Sequence, residues 1–180
     1  MFRIENLPAD AIAPDMLANF HHHQVIRQSY VKADGGWKIE NICLVREWSA
    51  EKRMWITQYL REQIGRGGAV MAAYSGQTLV GFCSVDGYLQ GETAKYANMT
   101  MLFVDDGFKR QGVGKALFKA ICKCAATKGA EKLFVSAVPS VDTVAFYFAQ
   151  GCVDASEIIP DYVDTEEDRY LEYGLGSGTL

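Results

Sequence analysis

The sequence predicts an α/β (α+β) fold, a mixed sheet with helices on both faces, built as one domain. Three observations point to it. Some segments space their apolar residues at helical intervals, and others hold them in strand-length runs. The two kinds of segment alternate along the second half of the chain instead of falling into separate blocks. The length, 180 residues, suits one sizeable core and is too short for two.

Each element rests on a local signal. Residues 2–6 read as a first strand. Pro14 stands at a helix-starting position, and Met16, Leu17, Phe20, Val25 and Ile26 follow at loosely helical spacing, so residues 14–26 are expected to form a first helix. Ala33-Asp34-Gly35-Gly36 is expected to break it. Residues 37–48, with Trp37, Ile42, Leu44, Val45 and Trp48, show no clean period and read as loop. Ser49 is a suitable N-cap for a second helix running to Ile64 and ended by Gly65, Gly67 and Gly68. At Ala69 the period changes. Residues 69–74 and 78–85 are apolar and separated by Ser75-Gly76-Gln77, which suits a hairpin. Residues 96–104 form another strand. Residues 112–128 form a helix with Leu117, Ile121, Cys122 and Ala125 on one face. A buried strand at 132–138, a short helix at 141–150 ended by Gly151, and a last strand at 170–175 complete the order. The Gly-rich tail, residues 174–180, is expected to fray.

Composition excludes several function classes. No apolar run approaches the roughly 20 residues of a membrane span, and the N-terminus carries acidic residues where an export signal would be apolar. The five cysteines form no C-x-x-C pair, so reduced, mostly buried thiols in a cytoplasmic protein are expected, with no metal. A net charge of −4 argues against a nucleic-acid partner and is compatible with a cationic one.

The most informative stretch is Phe103-Val-Asp-Asp-Gly-Phe-Lys-Arg-Gln-Gly-Val-Gly-Lys115. A strand runs into a charged, Gly-containing turn that opens a helix. Such a loop aims backbone N–H groups at one spot on the positive end of the helix dipole. Glycine lets a phosphate approach without a Cβ in the way, and Lys109, Arg110 and Lys115 add positive charge. An anion site for a phosphate or pyrophosphate follows. Two nucleotide patterns fail here. The P-loop needs Gly at Lys109 and Ser/Thr at Ala116, and the dinucleotide fingerprint needs Gly at Leu117.

Lys109-Arg-Gln-Gly112-Val-Gly114 resembles the Arg/Gln-x-x-Gly-x-Gly/Ala coenzyme A loop of the GNAT superfamily of N-acetyltransferases, with Lys109 replacing the first residue. Thirty-five residues after Gly112 comes Tyr147, in Ala145-Phe-Tyr-Phe-Ala-Gln-Gly-Cys152, which resembles that family's "fYeklGF" segment with Cys152 in place of Phe. One helix and one strand lie between, as the family requires. The resemblance implies a twisted, mostly antiparallel sheet of about seven strands, splayed between the fourth and fifth. It also implies direct acetyl transfer from acetyl-CoA to a small-molecule or peptide amine, and a possible homodimer.

The resemblance assigns roles. Leu102, Phe103 and Val104 would pair with the pantetheine arm and offer an N–H to the thioester oxygen. Lys109, Arg110, Gln111, Gly112, Val113, Gly114 and Lys115 would hold the pyrophosphate, and Ser140 would touch the pantetheine where many members carry Asn. A phenol titrates near about 10, so Tyr147 is protonated at neutral pH and can donate to the leaving thiolate. An alkylammonium, near about 10.4, must lose a proton before attack. Asp105 is the first candidate for that base, with Asp86 and Glu92 behind it. A rival class is a non-catalytic acyl-CoA-binding regulatory domain. Of His21-His22-His23, consecutive side chains point apart and cannot converge on one ion; one of them lining the acceptor pocket is the functional alternative. The acidic run 161–168 reads as a solvated loop that would also attract a cationic acceptor.

Overall fold

From Ala69 onward the expected elements form where the periodicity places them, except that the strand expected at 78–85 runs on to Gln90 and a two-residue strand at Val153–Asp154 was not expected. The computed structural model describes residues 1–176, so the last four residues of the predicted tail lie outside the described part. In chain order the elements are β1 (Arg3–Asn6), β2 (His23–Ala33), β3 (Gly36–Glu47), α1 (Ala50–Gly65), β4 (Ala69–Ser75), β5 (Thr78–Gln90), β6 (Tyr96–Val104), α2 (Val113–Thr127), β7 (Lys132–Ala137), α3 (Val141–Ala149), β8 (Val153–Asp154) and β9 (Arg169–Gly174). Seven strands make one sheet in the order β1-β4-β5-β6-β7-β9-β8. Every neighbouring pair is antiparallel except β6 and β7, which α2 joins in parallel.

Helices cover both faces. Leu117, Ile121 and Ala125 of α2 pack on Cys83, Val85, Met99 and Leu133, and Tyr147 of α3 joins the same cluster. Ile56 and Leu60 of α1 pack on Val70, Ala72 and Phe82 across the sheet. Each such buried aliphatic side chain contributes roughly 1.5–3 kcal/mol relative to exposure. Ser49 caps α1 as expected, its Oγ accepting from the Lys52 N–H at 3.2 Å. Among the described residues no helix is long and apolar enough to cross a membrane.

The expected first helix is absent. Residues 14–19 form turns, with i→i+3 bonds such as Met16 N–H to Ala13 O at 3.0 Å and Phe20 N–H to Leu17 O at 3.1 Å. Residues 23–33 are then β2, and the expected loop 37–48 is mostly β3. The Asp34-Gly35 pair turns the chain instead of breaking it, and the ladder runs from Ala33↔Gly36 to His23↔Glu47. The intervals from Met16 and Leu17 to Phe20 imitate a helix, but the β-branched Val25 and Ile26 favour the ladder.

This two-stranded sheet is attached at the end of β7. The Tyr30 N–H donates to Pro139 O at 2.8 Å, and Ser29 bridges Ser140. Arg169 of β9 anchors it further. Its guanidinium pairs with both oxygens of Asp154, at 2.7 and 2.8 Å, and lies within 4.6–5.1 Å of the Tyr30, Trp37 and Phe148 rings.

Candidate functional site

Strands β6 and β7 pair only from Tyr96↔Lys132 to Asn98↔Phe134. Beyond that the two strands share no ladder, so the sheet opens toward its C-terminal edge. A strand edge freed in the middle of a sheet leaves backbone N–H and C=O groups for another partner. Leu102 and Val104 turn their side chains to the α2 face, while Met101 and Phe103 turn theirs to the α1 face. The end of β6 therefore touches both sides of the sheet.

The loop after β6 carries unusual backbone. Arg110 has φ 63°, the one positive value outside glycine among the described residues, and Gly112, the N-cap of α2, has φ 84°. A Cβ built on Gly112 meets no atom within 4 Å and would project into open space. Ala116 N–H makes the first bond of α2, to Gly112 O at 3.0 Å, so the N–H groups of Val113, Gly114 and Lys115 precede the helical ladder. No side chain caps them and no acid lies in the first turn. Gly114 sits tight against α3, because an added Cβ would lie 3.2 Å from the Phe146 ring.

The other predicted donor-side residues fall as follows. Arg110 and Lys115 are exposed cations, while the Val113 side chain belongs to the core. Gln111 turns back, its Nε2 donating to Gly107 O at 2.9 Å. Lys109 is ion-paired with Asp106. The Ser140 hydroxyl is committed locally: it caps α3, accepting from Thr143 N–H at 3.2 Å and donating to Thr143 Oγ1 at 2.7 Å. A cavity of about 270 Å³ opens beside it, between Gln24–Gln28 and Ser140–Asp142.

Tyr147 is 7% exposed, set between the Phe118 and Phe146 rings at centroid distances of 6.2 and 5.1 Å. Burial pushes its phenol well above the ordinary range, and the neighbouring thiols of Cys152 and Cys83 add to the effect. It stays protonated at any physiological pH.

Asp105 is a buried clamp. Its Oδ2 accepts from His21 N–H at 2.7 Å and its Oδ1 from Gly107 N–H at 2.9 Å. Asp106 repeats the device, with Oδ2 accepting from His23 N–H at 2.7 Å. The segment 21–23 is thereby fastened to the end of β6. His21 and His23 are exposed, whereas His22 is 8% exposed. Its ring lies 4.5 Å from Trp48 and 5.2 Å from Phe103, with Phe20 and Phe82 completing the aromatic group. The hairpin register explains the meeting: His23 pairs with Glu47, so His22 and Trp48 are the next residues at its open end. No local pattern marks this; the partner of His22 lies 26 positions away, across a hairpin the periodicity did not disclose.

The α1 face also carries polar groups. Ser84 and Thr100 hydroxyls lie 2.6 Å apart, and Asn98 Nδ2 donates to Asp86 at 2.9 Å. Tyr59 of α1 reaches Thr100. Ser136 of β7 donates to Asp168 at 2.9 Å and accepts from Asp164 N–H at 3.1 Å. Local burial, then the charges of Asp168 and Asp86, push the Asp164 carboxyl up to about 6. Glu92 lies apart, exposed in the loop after β5, where its N–H donates to Glu157. Sequence order separated Asp86 from Asp164 and Asp168; the sheet brings them together.

Residues 37–151 match the family described as Acetyltransferase (GNAT) family. No curated protein matches the chain by sequence. Among solved structures, nourseothricin acetyltransferase is similar at 16% identity and a TM-score of 0.67, with 97% of this chain and 99% of that one covered. A putative streptothricin acetyltransferase from Bacillus anthracis, in complex with acetyl coenzyme A, shares 16% identity at a TM-score of 0.66 over 97% and 99% of the chains. The ribosomal-protein-S18-alanine N-acetyltransferase from Escherichia coli shares 16% identity at 0.61 over 99% and 97%. At these identities the likeness is one of fold.

Proposed function

The chain belongs to the GNAT acetyltransferase family, and from that premise we propose that it transfers an acetyl group from acetyl-CoA directly to a primary amine of a small molecule or peptide. The observation that carries this reading is the opening between β6 and β7 beside an uncapped, acid-free helix N-terminus. The residues present fit the coenzyme. The open space before Gly112 and the N–H groups of Val113, Gly114 and Lys115 suit a pyrophosphate, with Arg110 and Lys115 as mobile counter-charges. The freed edge of β6 suits an amide-bearing arm, and the N–H of Val104, which strand alternation turns away from β5, is the proposed donor to the thioester oxygen as it gains charge.

Proton traffic then needs two groups. Tyr147, held protonated by burial, supplies the proton for the leaving thiolate. The amine enters from the α1 face, where Asp86, Asp164 and Asp168 favour a cationic acceptor. Asp105, with both oxygens engaged by backbone N–H groups, is a holding residue in this reading and not the base. One observation favours the rival reading of a non-catalytic acyl-CoA-binding domain: Tyr147 is part of the core cluster. An acetylation screen over an amine library, following free thiol release, separates the two. Thiol release that depends on an added amine supports the transferase. Coenzyme binding without release for any amine overturns it.

A further inference from the structure

Resting on the acetyl-transfer reading, we infer that His22 is a catalytic residue of the acceptor side: its imidazole Nε2 receives the proton that the amine nitrogen gives up as the C–N bond forms. The placement comes from β6. Phe103, at the splayed end of that strand, turns its side chain to the α1 face, and the His22 ring stands 5.2 Å from it at 82°. An amine that attacks a carbonyl held on the Val104 N–H from this face passes Phe103, whose ring borders His22. Asp86 is bonded to Asn98, in the part of β6 still paired with β7, and the Asp105 carboxylate is occupied by two backbone N–H groups.

The ring is built to stay neutral. Its Nδ1 is sealed from solvent with no hydrogen-bond partner, between Trp48 and Phe103. Placing the hydrogen on Nδ1, where aromatic faces are weak acceptors, leaves the lone pair on Nε2. Burial, then the charge of Lys109, bring the imidazole down to about 4; Arg46 and His23 act in the same direction, and Asp106 opposes them. The ring is thereby neutral at pH 7, where a free imidazole is partly charged, and as a weakened base it takes the proton only after C–N bond formation has made the nitrogen acidic.

The step balances as follows. The amine, having lost its ammonium proton to solvent, bonds through its nitrogen to the thioester carbon, and the carbonyl π pair moves to oxygen. The nitrogen, now far more acidic than in a free ammonium, passes a proton to His22 Nε2. The C=O re-forms, the C–S bond breaks, and the thiolate takes a proton from Tyr147. His22 releases its proton to solvent, and Tyr147 recovers one.

The test uses the full chain with acetyl-CoA and four amines: a monoamine, spermidine, kanamycin and a peptide with an N-terminal alanine. His22→Gln, His22→Phe and His22→Ala are compared with wild type on whichever amine wild type acetylates. We expect acetyl-CoA affinity within twofold of wild type in all three, a fall in kcat of at least 30-fold, and partial recovery of His22→Ala by added imidazole. Turnover by wild type that survives in His22→Phe overturns the role of His22, whereas bound coenzyme without turnover on any amine overturns the underlying reading. Imidazole nitrogen shifts in wild type provide a readout that does not depend on variants folding. A neutral ring protonated at Nδ1 at pH 7 supports the role, and a charged ring, or a hydrogen on Nε2, overturns it.

Discussion

Gly112 and Gly129 allow a matched experiment on the proposed anion site. They flank the same helix, α2, with φ of 84° and 87°, and an added Cβ at either meets no atom within 4 Å. Alanine therefore adds the same strain at each: a left-handed backbone costs about 1–2 kcal/mol for a residue with a Cβ. For a chain of this size 1 kcal/mol shifts the melting temperature by roughly 2–4 °C, so both variants should melt about 2–8 °C lower. Their consequences for binding should differ. At Gly129 the Cβ enters empty solvent at the helix C-terminus. At Gly112 it enters the space where a phosphate must approach the α2 N–H groups. Loss of one charge-assisted hydrogen bond, about 1.5–3 kcal/mol, weakens acetyl-CoA roughly 10- to 150-fold. Calorimetric titration reads the affinity and scanning calorimetry the stability. Gly112→Ala binding like wild type, or Gly129→Ala losing as much, would refute the assignment of the loop.

Other outcomes are open to measurement. Tyr147→Phe should lower kcat at least tenfold with acetyl-CoA affinity nearly unchanged, because the phenolic proton is needed only as the thiolate leaves; parallel losses in both would mean that the hydroxyl serves packing alone. Against the cost of burial, hydrogen bonds from Lys132, Tyr96 and Ser156 pull the Glu172 carboxyl down to about 2. A depressed carboxylate stabilises the fold above its ordinary value near about 4.3 and loses that contribution as pH falls toward about 2. Thermal melts should accordingly show Glu172→Gln less stable than wild type at pH 7 and the gap closing below pH 4; a constant gap would contradict it. Arg169→Leu should cost about 2–4 kcal/mol, by releasing Asp154 and three aromatic neighbours, and should speed amide exchange in the β2–β3 hairpin first. Uniform exchange across the chain would show that the anchor is not local.

What the sequence disclosed follows the strength of burial. Elements packed into the main sheet from Ala69 on carry apolar runs that only a strand satisfies, or a one-sided stripe such as Leu117, Ile121 and Ala125 that only a helix satisfies. The backbone of the loop before α2 was legible for a related reason: the glycine positions record its left-handed turn at Gly112. The β2–β3 hairpin was not. It buries few residues, with Ile39, Leu44 and Val45 exposed, so neither face imposes alternation on the sequence. Asp34-Gly35 was the available signal, a turn pair between two runs rich in β-branched residues. The proposed acceptor face depends on this hairpin and on meetings of distant residues: His22 with Trp48 and Phe103, and Asp164 with the charge of Asp86. No spacing along the chain encodes such meetings. Ser140 shows the converse: a residue found by motif alignment whose hydroxyl the fold spends on capping α3.

The claim of direct transfer is tested most directly by following acetyl-CoA labelled with ¹³C at the thioester carbonyl, mixed with the full chain and an amine panel, by carbon NMR. We expect the thioester resonance to give way to an amide resonance, with one free thiol per amide formed and no acetylated protein. Conversion to acetate alone, an acyl-enzyme, or an unchanged thioester in the presence of bound coenzyme would contradict it.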